Sequence, residues 1–392
     1  MLLKDCDPGK KECEAIRHLI RSMLKKNKCS LNTYQVLAGK LQHASFGLPG
    51  GAGLFSPIQM AMTNNPPYIT LTSDLKQTLQ DWRYIIRYME KNPTSVRQLV
   101  LEFPAFVGYS DACRLGAGGV WCSGTNELSP VLWQVAWPED VQNALVTDKN
   151  PSGSITINDL ELAGAVLNWL VLEGQQVDLQ YKHVGTFCDN TSAVAWAYKL
   201  RTSSSKVAGR LLRMLGMRIH ARQASGLTPL HIAGEDNIMA DIISRAFKNG
   251  KFFHASENLT CYFNKHFPLQ KNKSWRDFHL PKELVSRVIA CLRGEPLPMA
   301  SLLRLPKIGQ NTGSTGTTMH ECARLTPSSI MSNPSSETSS SMHMLQGSGQ
   351  ALTAEALKSG FKGSRMRSRP SPRPSSWLDN QVPSTGKKDG TS

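Results

Sequence analysis

The spacing of apolar side chains divides the chain into two kinds of segment. Over about the first hundred residues, apolar positions recur every three to four residues, which is the period of an α-helix packed on one side. A first helix is predicted through Ile16 and Leu24, and two later helices are expected to begin near Ser30 or Asn32 and near Thr72 or Ser73, whose side chains suit helix N-caps. The predicted helical segments lie within 11–45, at 55–62 and at 72–90. We therefore expect a helical module over residues 1–98.

From residue 100 onward the period changes, and short alternating apolar runs predict strands. The predicted strands lie at 101–110, 116–122, 130–135, 183–188 and 227–232. The predicted helices lie at 157–173, 190–200, 204–222 and 236–247. Three antiparallel strands followed by alternating helices and strands give an α/β domain over residues 99–250, with a mixed five-stranded sheet flanked by helices.

The last third of the chain carries weaker signals. Residues 251–310 predict a short basic extension of amphipathic helices, and residues 311–392 predict a disordered tail rich in Ser, Thr, Gly and Pro. A run of four arginines among prolines in this tail is either a solvated linker, a nucleic-acid contact or an import signal. We assign no chemical role to residues 311–392.

Charge and cysteine content narrow the function classes. The net charge of +15 divides into +7 over residues 1–100, −2 over 101–250, +6 over 251–310 and +4 over the rest. An acidic centre between basic flanks suits a metal-dependent enzyme acting on a polyanion, although basic flanks also simply aid solubility. The nine cysteines form no C-x-x-C pair, which argues against a zinc site. No apolar run suggests a membrane span or signal peptide, so no membrane partner and a cytoplasmic or nuclear location are expected.

Four carboxylates occupy positions that a folded sheet would bring together. Asp111 and Asp189 each end an apolar strand, whereas Glu161 and Asp241 lie on predicted helices. If the two strands are neighbours, their ends meet at one edge of the sheet. Each acid also has an ordinary structural reading: Asp189 as a helix N-cap, Glu161 as a solvated first-turn acid, and Asp241 as an exposed helix residue.

Clustered carboxylates repel one another unless cations neutralise them. Oxygen ligands select Mg²⁺ or Mn²⁺, and two such ions stabilise the attacking and leaving oxygens of a phosphoryl displacement. The sequence therefore predicts two Mg²⁺ or Mn²⁺ ions at this site. The glycines at 116, 118 and 119 are expected to let a substrate backbone approach the second strand closely.

Several stretches around these acids resemble the ribonuclease H domain of retrotransposon reverse transcriptases. The stretches are 109–112 (YSDA), 159–162 (DLEL), 188–191 (CDNT) and 231–245 (HIAGEDNIMADIISR). The last is similar to the PGxxNxxADxLSR pattern of Gypsy-like and DIRS-like elements, with Ala233 in place of the proline. Residues 37–45 (LAGKLQHAS) and Trp82 resemble the thumb and connection region that precedes ribonuclease H in DIRS-like polyproteins.

The resemblance covers about residues 10–250 and implies a ribonuclease H-like fold that hydrolyses the RNA strand of RNA–DNA hybrids. It implies that Asp111, Glu161, Asp189 and Asp241 are the catalytic metal ligands, with Asp111 bridging two ions. His231 precedes Asp241 by ten residues, the spacing of the loop histidine in cellular ribonucleases H, and is a possible catalytic residue. An edge or core role in the last strand is the favoured alternative for this histidine.

Basic residues between 199 and 222 are candidates for gripping the nucleic acid. The helical spacing of Lys206, Arg210 and Arg213 predicts a one-sided basic helix, and such a face can follow a phosphate backbone. An ordinary solvated face is the alternative. The full set of nucleic-acid-binding candidates is Lys199, Arg201, Lys206, Arg210, Arg213 and Asn190.

The chain lacks the Y-x-D-D or F-x-D-D palm motif that polymerisation by such enzymes requires. We therefore expect no polymerase activity, and the polymerase part of the same polyprotein is an expected partner besides the RNA–DNA hybrid. Two other functions remain open: a non-catalytic nucleic-acid-binding remnant, and a ribonuclease H-like nuclease that acts on DNA.

Overall fold

The N-terminal part is helical, as its apolar period predicts. A computed structural model of the chain describes residues 8–100, 102–122, 130–247, 258–269 and 273–303. The N-terminal helices are α1 (Pro8–Leu24), α2 (Leu31–Phe46), α3 (Gly51–Met60), α4 (Ser73–Lys91) and α5 (Val96–Leu99). The expected caps are confirmed for α2 and α4, since Ser30 and Thr72 accept hydrogen bonds from backbone amides three residues on. The predicted disordered tail over 311–392 lies outside the described residues.

Two short strands within this helical part were not predicted. Strands β1 (Lys28–Ser30) and β2 (Tyr68–Thr70) pair in antiparallel fashion and bring the start of α2 beside the start of α4. The fully buried indole of Trp82 then donates a 3.1 Å hydrogen bond to the carbonyl of Leu54 in α3. This bond satisfies the buried indole N–H of Trp82 at the centre of the module.

A mixed sheet follows, and its first five strands confirm the predicted architecture. The strands are β3 (Phe106–Ala112), β4 (Gly116–Cys122), β5 (Val131–Ala136), β6 (His183–Cys188), β7 (Gly226–His231) and β8 (Arg276–Asp277). Their order in the sheet is β7-β6-β3-β4-β5-β8. Strands β3, β4 and β5 form the antiparallel meander, whereas β6 and β7 extend the sheet in parallel from β3. The prediction of five strands is wrong by one, because β8 adds a two-residue edge beside β5.

Helices cover both faces of this sheet. They are α6 (Glu139–Asn143), α7 (Ile157–Gly174), α8 (Thr191–Lys199), α9 (Lys206–Ala221), α10 (Ile238–Arg245), α11 (Leu259–His266), α12 (Lys282–Arg293) and α13 (Met299–Leu303). Side chains alternate between faces along a strand. Ala117 lies near Gly164 of α7, whereas a side chain at Gly118 would meet Ile243 of α10. Helices α7 and α10 therefore pack on opposite faces of β4.

The glycines of β4 make room for protein and not for a substrate. A Cβ atom at Gly118 would lie 2.4 Å from Cγ2 of Ile243, and one at Gly116 would lie 2.3 Å from Cε2 of Phe247. A Cβ atom at Gly119 would meet the carbonyl oxygen of Tyr109. The expectation of a close substrate approach at these three glycines is wrong, because the chain itself occupies the space.

Helices α3 and α9 approach each other so closely that only glycine fits between their backbones. A Cβ atom at Gly216 would lie 2.4 Å from the carbonyl oxygen of Gly50, and one at Gly53 would lie 2.4 Å from the carbonyl oxygen of Leu212. Gly50 also has a φ of 78°, a conformation that L-residues rarely adopt. We refer to Gly50, Gly53 and Gly216 as the glycine contact. It joins the helical module to the sheet domain, and the described residues form one compact unit.

Replacing Gly216 by Ala is expected to destabilise the protein by about 1–3 kcal/mol, since backbone atoms must shift to admit the methyl group. Chemical denaturation of the full chain measures this change. Gly39→Ala is the matched control, because Gly39 is also inside a helix and no atom lies within 4 Å of a Cβ built there. The control should stabilise the protein by about 0.5–1 kcal/mol. Equal effects at both positions would contradict a tight contact at Gly216.

None of the helices in the described part of the chain is both long and apolar enough to cross a membrane.

Candidate active site

The end of β3 carries the first carboxylate of the site. Asp111 is buried, with 5% of its surface exposed. The hydroxyl of Ser244, on α10, donates a short hydrogen bond to the Oδ2 atom of Asp111. Helix α10 is further held against β3 by Asn237, whose amide donates a 3.2 Å hydrogen bond to the carbonyl of Ser110. Helix α10 therefore orients the Asp111 side chain.

Glu161 reaches the same place from the other face of the sheet. A capping box between Thr156 and Asp159 begins α7, and Glu161 lies just beyond the first turn of this helix. Its Oε2 atom accepts a 3.2 Å hydrogen bond from the backbone amide of Ala112. This bond attaches the carboxylate to the end of β3, one residue beyond Asp111.

Asp189 follows the neighbouring parallel strand, β6. Because β3 and β6 are parallel neighbours, their C-terminal ends lie at one edge of the sheet, and the predicted convergence of Asp111 and Asp189 is found. The thiol of Cys188 lies 3.7 Å from Oε2 of Glu161 and donates to it. Ligand atoms of Glu161, Cys188 and Asp189 all lie within 4.8 Å of one another, so this group could hold a metal ion.

Asp241 completes the set from α10. Its Oδ1 atom forms a 2.5 Å ion pair with Arg245 one turn later, and its side chain is 30% exposed. Its negative charge acts on Asp111, whose pKa it helps to raise. Of the four predicted acids, only Glu161 and Asp189 belong to the group of ligand atoms within 4.8 Å of one another, and Asp111 and Asp241 do not.

The ionisation of the two buried acids reflects this crowding. Burial and the charges of Asp189 and Asp241 raise the pKa of Asp111 to about 6, against the opposing effects of Ser244 and Arg245. Burial, followed by the charges of Asp111 and Asp189, raises the pKa of Glu161 well above its ordinary value. Cations bound here would relieve that repulsion.

Two residues of the site were not predicted, Cys188 and Ser244. Burial, followed by the charge of Glu161, raises the pKa of the Cys188 thiol well above its ordinary value. The thiol is therefore protonated and acts as a hydrogen-bond donor, which leaves the carboxylates as the charged ligands. Both residues lie in the stretches that carry the family resemblance, at 188–191 and 231–245, and that position was the available signal.

His231 ends β7 at the same edge of the sheet. It is exposed, and its Nε2 atom lies 3.1 Å from the backbone carbonyl of Asp189. Its contact is thus to the backbone of Asp189 and not to its carboxylate. Asn190 caps α8 by accepting a 2.9 Å hydrogen bond from the amide of Ala193, and its amide group donates to Asn158 at 2.8 Å.

The prediction of a one-sided basic helix over α9 is wrong. Arg213 is 7% exposed and forms a 2.5 Å ion pair with Asp81, and Arg210 forms a 2.7 Å ion pair with Asp74. Both acids lie on α4, so α9 is covered by the helical module on the side that carries these arginines. Arg213 is therefore buried in the fold, and the charge of the partly exposed Arg210 is neutralised by Asp74.

The remaining basic candidates lie near the beginning of α9. Lys199, Arg201 and Lys206 are exposed, and Arg201 donates a 3.3 Å hydrogen bond to Gln59.

A cavity of about 500 Å³ lies away from the carboxylates, between β2, α4 and α9. Tyr68, Lys206 and Leu297 are among the residues that line it, and none of the four acids does. The chemistry of the acids, and not the volume of this cavity, identifies the candidate active site.

Comparison of the chain with protein-family models gives no match, and neither does comparison with curated proteins.

Proposed function

We propose that the protein is a ribonuclease H-type nuclease that hydrolyses the RNA strand of RNA–DNA hybrids and belongs to a retroelement reverse transcriptase. The observation that supports this proposal is the group of Glu161 and Asp189 at one edge of a mixed sheet, beside the buried Asp111, whose pKa is raised by the charges of Asp189 and Asp241. A three-stranded meander extended in parallel by β6 and β7 is compatible with the ribonuclease H-like fold.

The four acids fit the divalent cations that this chemistry uses. Their donors are carboxylate oxygens, which suit Mg²⁺ or Mn²⁺. Asp111, Glu161, Asp189 and Asp241 would hold these ions. When bound, such ions stabilise the attacking and leaving oxygens of an in-line displacement at phosphorus.

The chain's own residues orient the carboxylates for this task. Ser244 holds one oxygen of Asp111, and the amide of Ala112 holds one oxygen of Glu161. Both acids are therefore fixed before any substrate arrives, which lowers the cost of assembling the site. His231 is exposed at the same edge.

Cleavage of a labelled RNA–DNA hybrid by the full chain, with Mg²⁺ or Mn²⁺, tests the proposal. We expect hydrolysis of the RNA strand, with RNA duplex and DNA duplex cut more slowly. Asp189→Asn should lower the rate at least about 100-fold, because it removes a charged metal ligand. Asp148→Asn is the matched control, since Asp148 is exposed and lies outside the site.

Each other outcome has a definite meaning. Cleavage that survives Asp189→Asn would overturn the assignment of the site. Preferred cleavage of DNA duplex would replace the hybrid by DNA as substrate. Hybrid binding without cleavage under either cation would identify a non-catalytic binding protein.

A further inference from the structure

The outer side of α4 presents three cations in a row. Arg83, Arg87 and Lys91 are exposed, and their spacing of four residues places them on one side of the helix. Gln80 and Tyr84 are exposed on the same side. The opposite side is apolar and buried, through Leu75, Leu79, Trp82, Ile85 and Ile86. We call Arg83, Arg87 and Lys91 the α4 basic face.

The acids of α4 do not neutralise this face. Asp74 pairs with Arg210 at 2.7 Å, Asp81 pairs with Arg213 at 2.5 Å, and Glu90 pairs with Arg17 at 2.9 Å. Each acid is therefore occupied by an arginine from another helix. Within the described ranges, the three cations of the α4 basic face form no ion pair. Their charge is directed to solvent.

Aromatic side chains continue from this face to a fourth exposed cation. Tyr84 stacks on Tyr88 at 6.5 Å, and the hydroxyl of Tyr88 accepts a 3.3 Å hydrogen bond from the side chain of Gln223. The backbone carbonyl of Gln223 in turn accepts from the amide of Tyr181, at 2.9 Å. The guanidinium of Arg97 lies over the Tyr181 ring at 5.5 Å. Tyr84, Tyr88 and Tyr181 thus lie between the α4 basic face and Arg97.

The direction of α4 relates this surface to the carboxylates. Asp74, Asp81 and Tyr88 of α4 meet Arg210, Arg213 and His220 of α9 in the same order, so the two helices run side by side in the same direction. The start of α9 is attached to the start of α7, through a hydrogen bond from Ser205 to Asp159. Because Glu161 lies in that part of α7, α4 begins at the carboxylate end and its basic face extends away from it.

We propose that the α4 basic face binds the phosphate backbone of nucleic acid beyond the cutting site. Arg83 and Lys91 are eight positions apart, so the three cations span about 12 Å along the helix. This length corresponds to about three phosphates along one nucleic-acid strand. Such contacts are independent of sequence, and tyrosines beside them suit stacking or sugar contacts. Arg210 and Arg213 of α9 are paired with acids of α4, so another basic surface is needed to bind the nucleic-acid backbone. The choice of an RNA–DNA hybrid as the partner rests on the proposed function, whereas binding of a polyanion does not.

Fluorescence anisotropy of a labelled RNA–DNA hybrid tests this proposal with the full chain in EDTA, where no cleavage can interfere. The variant combines Arg83→Gln, Arg87→Gln and Lys91→Gln, three changes at exposed positions. We expect the dissociation constant at 100 mM salt to rise at least about 10-fold, because up to three phosphate contacts are lost. The dependence of log K on log salt should become shallower by about 2 to 3.

A control variant removes the same charge elsewhere. It combines Lys265→Gln, Lys273→Gln and Lys282→Gln, all at exposed positions in the C-terminal part of the chain. This control should change the dissociation constant less than about 3-fold if binding is local to α4. Thermal unfolding should give the same midpoint for both variants and the parent protein, which separates binding from folding.

Two results would overturn the proposal. Equal weakening by both variants would show a general effect of net charge, and unchanged binding by the α4 variant would show a solvated face or a surface for another partner. The same binding measurement with DNA duplex and RNA duplex identifies the preferred polyanion. Absence of cleavage in the separate activity assay would contradict the proposed function and leave this binding result unaffected.

Discussion

Asp111→Asn is expected to abolish hybrid cleavage and, in the absence of divalent cations, to stabilise the protein. The rate should fall at least about 1000-fold, because the substitution removes the charge of a carboxylate that would hold the cations. The gain in stability has a separate cause. Ionised Asp111 is buried beside Asp189 and Asp241, and its pKa is raised to about 6. A neutral amide of the same shape removes that repulsion and that desolvation cost.

The stability gain should depend on pH in a definite direction. The folded protein holds a proton on Asp111 up to about pH 6, whereas an unfolded aspartate loses it near its ordinary pKa of 3.8. Stability of the parent protein therefore falls as pH rises from about 4 to about 6, and the full penalty is present above pH 6. In EDTA, the free energy of unfolding of the Asp111→Asn variant should exceed that of the parent protein by about 2 kcal/mol at pH 7.5, and the two should differ little at pH 4.

Thermal and chemical unfolding in EDTA and in Mg²⁺ check this prediction. Magnesium should stabilise the parent protein more than Asp111→Asn, because cation binding to the folded state is linked to its stability. Asp148→Asn, at an exposed position, should behave like the parent protein in both assays. A variant that retains activity, or one destabilised in EDTA at pH 7.5, would contradict the assignment of Asp111.

Arg218→Met is expected to cause the largest loss of stability, about 3–5 kcal/mol. Arg218 and Glu173 form a buried ion pair in which neither side chain is more than 1% exposed. Glu173 also accepts a 2.7 Å hydrogen bond from the indole of Trp169, and Arg218 donates at 2.6 Å to the carbonyl of Leu302. Removing the guanidinium leaves a carboxylate in the protein interior with reduced compensation, which is costly.

Chemical denaturation of single and double variants measures how much the ion pair of Arg218 with Glu173 contributes to the free energy of unfolding. Arg210→Met is the matched control on the same helix, since the ion pair of Arg210 with Asp74 is partly exposed and should contribute less than about 1 kcal/mol. Adding Glu173→Gln to Arg218→Met should recover part of the loss, because the unpaired charge is removed while an acceptor for Trp169 remains. A double variant less stable than the sum of the two single losses would contradict this account.

Much of the fold follows from local patterns. The strands over 116–122 and 183–188 and the helix over 157–173 were predicted within one residue of their observed limits. Alternation of apolar residues, and caps such as Thr156, determine these elements without help from distant parts of the chain. The positions of Asp111 and Asp189 at strand ends were sufficient to predict that these acids meet.

The burial of basic residues was not predictable in the same way. Arg213 and Arg218 occupy helical positions that look exposed when α9 is considered alone. Their partners, Asp81 and Glu173, lie 132 and 45 residues earlier in the chain, so only tertiary packing reveals the pairs. Short strands such as β8 are equally invisible, because two residues carry no periodicity.

The roles of glycines and of small polar residues were also beyond sequence patterns. In the sequence, Gly118 could make room either for a substrate or for a helix packed on the sheet. The structure shows the second, because the side chain of Ile243 occupies the space beside Gly118. The sequence motif that contains Ser244 does not indicate which residue its hydroxyl contacts. Its hydrogen bond to Asp111 depends on the angle at which α10 crosses β3.

The glycine contact between α3 and α9 determines how the chain unfolds. Removing residues 1–98 would expose the surface of α9 at Leu212 and Gly216 and would leave the buried charge of Arg213 without Asp81. Removing the residues after 250 would take away the carbonyls of Leu297 and Leu302, which accept hydrogen bonds from Arg213 and Arg218. The central sheet thus depends on both flanks for its stability, and we expect the three stretches to unfold together.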